Sequence, residues 1–141
     1  TGLIGATLTE LGYLNLVGVD LSPKMLKVAE RRLIYKRLYE QDLGDPLPEA
    51  DDSFSSTVCF GSLGPGHAPA SCLDEFVRVT RPGGHIVFNT RADTYPEQAL
   101  KGKVEALTNA GTWVNVDQSP PFRTFYFDES ELTSQVFVVR V

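Results

Sequence analysis

The chain is poor in the residues that build metal centres and disulfide scaffolds. Its 141 residues include only two cysteines, Cys59 and Cys72, and two histidines, His67 and His85. Their spacing does not match a metal ligand set, so we predict that the protein holds no metal. So few cysteines are typical of a reduced, cytoplasmic protein rather than of a secreted disulfide framework, and we predict a cytoplasmic location.

Long hydrophobic runs and long basic runs are also missing. Nothing approaches the ~18 continuous apolar residues of a membrane span, and no signal peptide is visible, so we expect no membrane association. A formal net charge of −5 argues against a protein that mainly grips phosphate backbones. With 42% hydrophobic and 22% charged residues, the composition is that of a globular protein. We predict a single domain over residues 1–141.

The start of the chain has the glycine spacing of a nucleotide-binding loop. Gly2 and Gly5 match the end of a G-x-G-x-x-G motif, and apolar positions at helical spacing follow at once. A short apolar run, 16–19, then ends on Asp20, close to the ~20 residues that separate such glycines from a ribose-binding acid. We therefore expect Asp20 to accept hydrogen bonds from ribose hydroxyls. The motif's first strand would precede Thr1, so we expect a domain truncated at its N-terminus.

Along the rest of the chain, strand patterns alternate with helix patterns until the end. Ser22 and Pro23 are typical of a helix start, and the helical periodicity then continues to Leu33. Arg81–Gly84 is typical of a sharp turn, and a later helix is predicted to open at Pro96. Two strands without a helix between them close the chain. The order predicts an α/β, Rossmann-like doubly wound fold, with a mostly parallel sheet and an antiparallel C-terminal strand pair.

Polar or glycine residues stand where several predicted strands end. They are Asp20, Asp42, Gly61-Ser62 and Asn89-Thr90. Because the carboxyl ends of parallel strands lie at one edge of a sheet, we expect these positions to meet in one ligand-binding crevice.

Several of these stretches together resemble class I S-adenosylmethionine-dependent methyltransferases and, within them, the methyltransferase-like 27 (Williams–Beuren region) group. Thr1-Gly2 is similar to the end of the D-x-G-C-G-T-G loop, and 18–26 is similar to the second motif. The stretch 41–43 resembles the third motif, and 78–84 resembles the L-R-P-G-G stretch before the fifth strand. One departure is Ser55, which follows Phe54 where the family usually has an aspartate.

The resemblance implies S-adenosylmethionine as the cofactor, S-adenosylhomocysteine as the product, and a set of cofactor-binding residues. In the order of the cofactor's parts, these are Thr1 and Gly2 by the methionine; Asp20 on the ribose hydroxyls; Leu21 and Met25 on the adenine side; Asp42 on the adenine amino group; the Leu43 backbone N–H on a ring nitrogen; and Gly61, Ser62 and Leu63 near the sulfonium. From the residues alone, Asp45 could take the role of Asp42, since acids are common in turns.

Methyl transfer from a sulfonium needs alignment and desolvation more than a catalytic group, so no catalytic motif is expected. His67, in a glycine- and proline-rich loop, is the one candidate general base, although the pattern favours an exposed loop histidine without a catalytic role. The expected acceptor is a small molecule or a protein, and the acidic charge disfavours nucleic acid.

Two other function classes stay open. A nicotinamide-dependent Rossmann oxidoreductase shares the glycines and the acid, but it does not explain Pro82-Gly83-Gly84. A non-catalytic methyltransferase-fold fragment is the second alternative, because without a central first strand two strands would flank an unfilled slot. We expect such a chain either to form a homodimer through that slot or to bind cofactor poorly.

Overall fold

The fold is described by a computed structural model, which covers residues 1–64, 66–95, 99–125 and 131–141. The chain forms two compact units, unit 1 (Thr1–Asp45) and unit 2 (Pro46–Val141). The single domain over 1–141 stays a prediction, and the helix start at Pro96 lies outside the described residues.

Unit 1 is two helix–strand pairs in succession. The elements are α1 (Leu3–Glu10), β1 (Leu16–Asp20), α2 (Pro23–Glu30) and β2 (Tyr35–Glu40). Strands β1 and β2 pair in parallel, so that Asp20 and Glu40 lie opposite each other at the carboxyl ends. The predicted cap of α2 is confirmed, since the Met25 N–H donates to Ser22 Oγ at 3.4 Å and Pro23 occupies the first turn.

Helix α2 is shorter than its periodicity predicts. It ends at Glu30, and Leu33 adopts a left-handed backbone with φ 57° instead of continuing the helix. The prediction was wrong here because the chain must turn sharply to bring Tyr35 into β2 beside β1. In unit 1, which is described throughout, Ala29 is the one buried hydrophobic side chain, and most of the others are half-buried or exposed.

Unit 2 holds a five-stranded sheet and two helices. The elements are β3 (Phe54–Cys59), α3 (Cys72–Val79), β4 (Thr80–Arg91), α4 (Ala99–Asn109), β5 (Val114–Gln118), β6 (Phe122–Arg123) and β7 (Thr133–Arg140). The strand order is β3-β4-β7-β5, with β6 also paired to β7. Strands β3 and β4 are parallel, whereas β7 runs antiparallel to β4, β5 and β6. The α/β fold with an antiparallel C-terminal strand pair is thereby confirmed.

The predicted turn at Arg81–Gly84 is instead an irregularity inside β4. The strand begins at Thr80, directly after α3, and its pairing with β3 becomes regular only from His85. Gly84 makes this possible, since a Cβ there would lie 2.6 Å from the Ser55 carbonyl oxygen.

The core of unit 2 lies on one face of its sheet. Ile86 pairs with Val139, and Phe88 pairs with Phe137, whose ring centroid is 5.1 Å away. Trp113, only 1% exposed, stacks on Phe88 at 6.3 Å. This apolar layer holds β4 in place. The loop after β3 is in turn attached to β4.

Candidate functional site

Two aspartates lie at the same edge of the unit 1 sheet. Asp20 ends β1, and Asp42 follows β2 by two residues; the Gln41 N–H donates to the Asp20 carbonyl oxygen at 3.2 Å and joins the two strand ends. Asp20 Oδ1 accepts from the Ser22 N–H at 2.9 Å, and Asp42 Oδ1 accepts from the Gly44 N–H at 2.8 Å. Each carboxylate is therefore oriented by its own turn. Such groups can accept hydrogen bonds from hydroxyl or amino donors of a ligand.

Apolar side chains stand close to these aspartates along the chain. Leu21, 63% exposed, directly follows Asp20, and Met25, 43% exposed, lies in the first turn of α2. Leu43, half-buried, follows Asp42. Exposed apolar side chains beside oriented carboxylates form the kind of surface on which a planar ring can rest.

Thr1 and Gly2 lie beside Arg32 and Tyr35 in unit 1. The Arg32 Nε donates to the Thr1 carbonyl oxygen at 2.7 Å, and a Cβ on Gly2 would lie 2.9 Å from Arg32 Cδ and 3.2 Å from a ring carbon of Tyr35. Gly2 has φ 76°, and its carbonyl accepts from the Ala6 N–H in the first turn of α1. No sequence pattern signals the contact with Arg32, which joins residues 31 positions apart.

In unit 2, the loop after β3 is tied to the neighbouring strand. The Gly61 N–H donates to Asn89 Oδ1 at 2.7 Å, with Gly61 in the left-handed region at φ 73°. The Ser62 carbonyl accepts from the Ala68 N–H at 3.0 Å, and Leu63 is buried. Two of the predicted strand-end positions, Gly61 and Asn89, thus meet as expected within this unit.

A cavity of about 280 Å³ lies beside that loop. His67 is the one titratable residue on its described wall; its side chain is exposed, and its backbone N–H donates to the Gly64 carbonyl oxygen at 3.1 Å. The other lining side chains are small or apolar. The lining residues are Gly64, His67, Ala68, Pro69, Ala70, Ala99 and Leu100. At about 280 Å³ the cavity is slightly smaller than the ~300–1,000 Å³ usual for small-molecule sites, so it suits a small, mostly apolar group.

Both cysteines are free and buried, which disfavours a role as nucleophile. Burial raises the pKa of the Cys59 thiol to about 12, and a side-chain hydrogen bond with Ser62 opposes this only in part. Burial raises the pKa of the Cys72 thiol to about 12 as well.

Within the described residues, no group of three or more acidic, histidine or cysteine side chains could hold a metal. Nor does any helix in those ranges have the length and apolar character of a membrane span.

Comparison with known proteins finds one matching family and several similar relatives. A family model described as a methyltransferase domain matches residues 1–88. The chain is 37% identical over 117 residues to methyltransferase-like protein 27 of Homo sapiens, covering 80% of this chain and 47% of that protein. It is also 37% identical over 110 residues to the malonyl-[acyl-carrier protein] O-methyltransferase of Serratia marcescens, covering 73% and 36%. The chain thus spans half or less of the length of these curated relatives.

Among solved structures, the fold is similar to an S-adenosylmethionine-dependent methyltransferase from Mesorhizobium loti. The match has a TM-score of 0.71 at 17% identity and covers 99% of this chain and 86% of that one. At this identity the likeness supports the fold alone.

Proposed function

The chain belongs to the methyltransferase domain family, and from this premise we propose that it takes part in methyl transfer from S-adenosylmethionine to a small-molecule or protein acceptor, leaving S-adenosylhomocysteine. The observation that supports this best is the pair of oriented aspartates, Asp20 and Asp42, at the carboxyl edge of two parallel strands. Carboxylates there suit a ligand that carries a ribose and an amino-substituted ring.

Each residue of unit 1 has a distinct role in the proposal. Asp20 accepts from the ribose hydroxyls, and Asp42 accepts from the adenine amino group, while its neighbour Leu43 offers a backbone N–H to a ring nitrogen. Leu21 and Met25 cover the ring with apolar surface, which their exposure leaves accessible. These contacts bind and orient the cofactor but do no chemistry.

When bound, S-adenosylmethionine supplies an electrophilic methyl group on a sulfonium. In the proposal, Thr1 and Gly2 contact its methionine part, and Gly61, Ser62 and Leu63 lie near the sulfonium. The hydrogen bond between Gly61 and Asn89 Oδ1 supports the unit 2 part of this assignment, because it holds the loop in one conformation. A fixed loop is what an in-line displacement needs, since its rate depends on alignment.

The acceptor group is proposed to occupy the cavity beside His67. Alanine, proline, glycine and leucine line most of the cavity, so an acceptor group there would contact mainly apolar surface. His67 would take a proton only from an acceptor that must lose one.

The exposed apolar side chains of unit 1 also support the proposal that two copies associate. Leu3, Leu11 and Leu14 are each more than half exposed, and burying such side chains against a second copy would be favourable. Sedimentation that shows a monomer across the micromolar range would contradict a homodimer.

Calorimetric titration of the chain with S-adenosylhomocysteine tests the cofactor assignment. We expect Asp20→Ala to weaken binding at least ~tenfold and Asp42→Ala several-fold, because each loses a charged acceptor. Asp45→Ala is the matched control, since Asp45 is an exposed aspartate three residues beyond Asp42. We expect it to bind within about twofold of the unsubstituted chain.

Two results would support the alternatives instead. No binding to a chain shown by circular dichroism to be folded would favour a non-catalytic methyltransferase fold. Tighter binding of NADH than of S-adenosylhomocysteine would favour a nicotinamide-dependent oxidoreductase.

A larger effect of Asp45→Ala than of Asp42→Ala on the affinity for S-adenosylhomocysteine would assign the adenine contact to Asp45 instead of Asp42.

A further inference from the structure

The turn after α2 presents a leucine to solvent in a conformation that leucine rarely adopts. Leu33 has φ 57° and is 91% exposed. Left-handed backbone suits glycine or asparagine, and a leucine side chain makes no compensating hydrogen bond there. The turn is nevertheless fixed, since the Arg32 N–H donates to the Ala29 carbonyl at 3.0 Å and the Leu33 N–H donates to the Glu30 carbonyl at 3.1 Å. An apolar side chain is therefore held outward on a rigid backbone.

Positive charge is concentrated around the same turn. Six of the 13 lysine and arginine residues lie within 24–37, where Glu30 is the one carboxylate, although the whole chain carries −5. Arg31 directly follows the last residue of α2 with a helical backbone, so it lies one turn beyond Lys27 on the same side of the helix. Both are exposed, as is Lys36 on the other side of Leu33 in sequence. The remaining carboxylates of unit 1 belong to other segments, Glu10, Asp20 and 40–45.

We propose that Lys27, Arg31, Leu33 and Lys36 form a docking surface for an acidic segment of a partner protein. In this arrangement an apolar side chain or shallow pocket of the partner receives Leu33, and flanking carboxylates pair with the cations. Opposite charge steers the encounter, and the fixed turn lowers the entropy lost on binding. This surface uses none of the residues assigned to the cofactor or the acceptor, and its test does not depend on methyl transfer.

The observations favour a protein partner over nucleic acid or a membrane. A polyphosphate would be attracted by the cations but would gain nothing from an exposed leucine. Stable membrane binding requires several apolar side chains that insert together, whereas the next residue, Ile34, is half-buried.

The test is selection of displayed random peptides of about 12 residues on the full chain, followed by affinity measurement for the selected peptide with fluorescence anisotropy. We expect enriched peptides to carry two or more carboxylates around an apolar residue. We expect Leu33→Asn and Arg31→Glu each to weaken binding at least ~tenfold. Asparagine tolerates the left-handed backbone, so Leu33→Asn removes the apolar contact and should retain the fold, which circular dichroism would check.

Two matched controls separate this surface from non-specific binding. Tyr13→Asn removes an apolar side chain of unit 1 that is 60% exposed, and Arg81→Glu reverses an exposed arginine of unit 2. Both variants should bind the selected peptide with an affinity within about twofold of that of the unsubstituted chain.

Several results would overturn the proposal. Enriched peptides without carboxylates would do so, as would no enrichment at all or equal affinity for the Leu33→Asn variant. A further contradicting result would be that no acidic peptide binds, while Arg31→Glu and Leu33→Asn abolish binding to a duplex of about 20 base pairs or to phosphatidylserine vesicles.

Discussion

Glu75 and Arg78, one turn apart on α3, form an ion pair joined by two hydrogen bonds. Arg78 Nε donates to Glu75 Oε1 at 2.8 Å, and Arg78 Nη2 donates to Oε2 at 2.7 Å. The Leu47 N–H also donates to Oε2 at 2.7 Å, and Arg78 donates to the Glu49 carbonyl at 2.7 Å. The pair therefore ties the loop before β3 to α3. The hydrogen bond with Arg78 is the main cause that lowers the pKa of Glu75 below its usual 4.5.

We expect Glu75→Gln to destabilise the protein in a pH-dependent way. Because the pKa of Glu75 is lower in the folded state, its stabilisation is present above the unfolded value and is lost as pH falls through the folded one. At neutral pH the substitution should lower Tm by roughly 3 to 6 °C, and the difference from the unsubstituted protein should shrink in acid. Thermal melts from about pH 7 to about pH 3 measure this. Glu10→Gln, on an exposed helix position, is the control; a constant difference across pH would contradict the prediction.

Two helical glycines should respond to alanine with opposite signs. A Cβ on Gly5 in α1 would lie 2.1 Å from the Tyr35 hydroxyl oxygen and 2.5 Å from its ring carbon, whereas a Cβ on Gly102 in α4 has nothing within 4 Å. We expect Gly102→Ala to stabilise by about 0.5–1 kcal/mol. Gly5→Ala should destabilise by about 1–3 kcal/mol, and Tyr35→Ala should relieve the overlap. Urea unfolding of the single and double variants gives these values, and equal effects of the two alanines would refute the packing of Tyr35 on α1.

The indole of Trp113 depends on one hydroxyl. Its Nε1–H donates to Thr108 Oγ1 at 2.9 Å, and the side chain is almost fully buried. Thr108→Val should leave the indole N–H without this partner and cost about 1–3 kcal/mol of unfolding free energy. Thr108→Ser retains the hydroxyl and should lose less. Because Trp113 is the only tryptophan, its fluorescence during denaturation reports on unit 2 directly. A valine variant as stable as the serine variant would mean that the bond contributes nothing.

The cysteines should react only when the protein unfolds. Since burial raises the pKa of both Cys59 and Cys72 to about 12, the thiolate fraction near pH 8 is very small. We expect a thiol-specific disulfide reagent to titrate almost no thiol in the folded chain and both thiols in guanidinium chloride. If the folded chain retains some thiol reactivity, the loss of that reactivity in Cys72→Ser would assign it to Cys72, and its persistence would assign it to Cys59. Rapid labelling of the folded protein, at a rate insensitive to its stability, would show that one thiol is accessible.

The sequence alone predicted what depends on local spacing. The alternation of strands and helices, the cap of α2 at Ser22 and the strand end at Asp20 follow from periodicity and from the preferences of single residues, and the structure confirms them. The resemblance to class I methyltransferases and to the methyltransferase-like 27 group is also confirmed, because several short motifs at family spacing are specific together. The roles of the site residues stay predictions.

Only the tertiary structure decided how distant segments meet. The contact of Arg32 with Thr1, the bond from Gly61 to Asn89 and the approach of Gly84 to Ser55 join residues about 30 positions apart, and no local pattern encodes them. The same holds for the early end of α2 at Leu33, because strand pairing with β1 overrode a helical periodicity that the residues otherwise favour. Local preferences set the elements, and the burial of apolar surface and the pairing of backbone groups set where they stop.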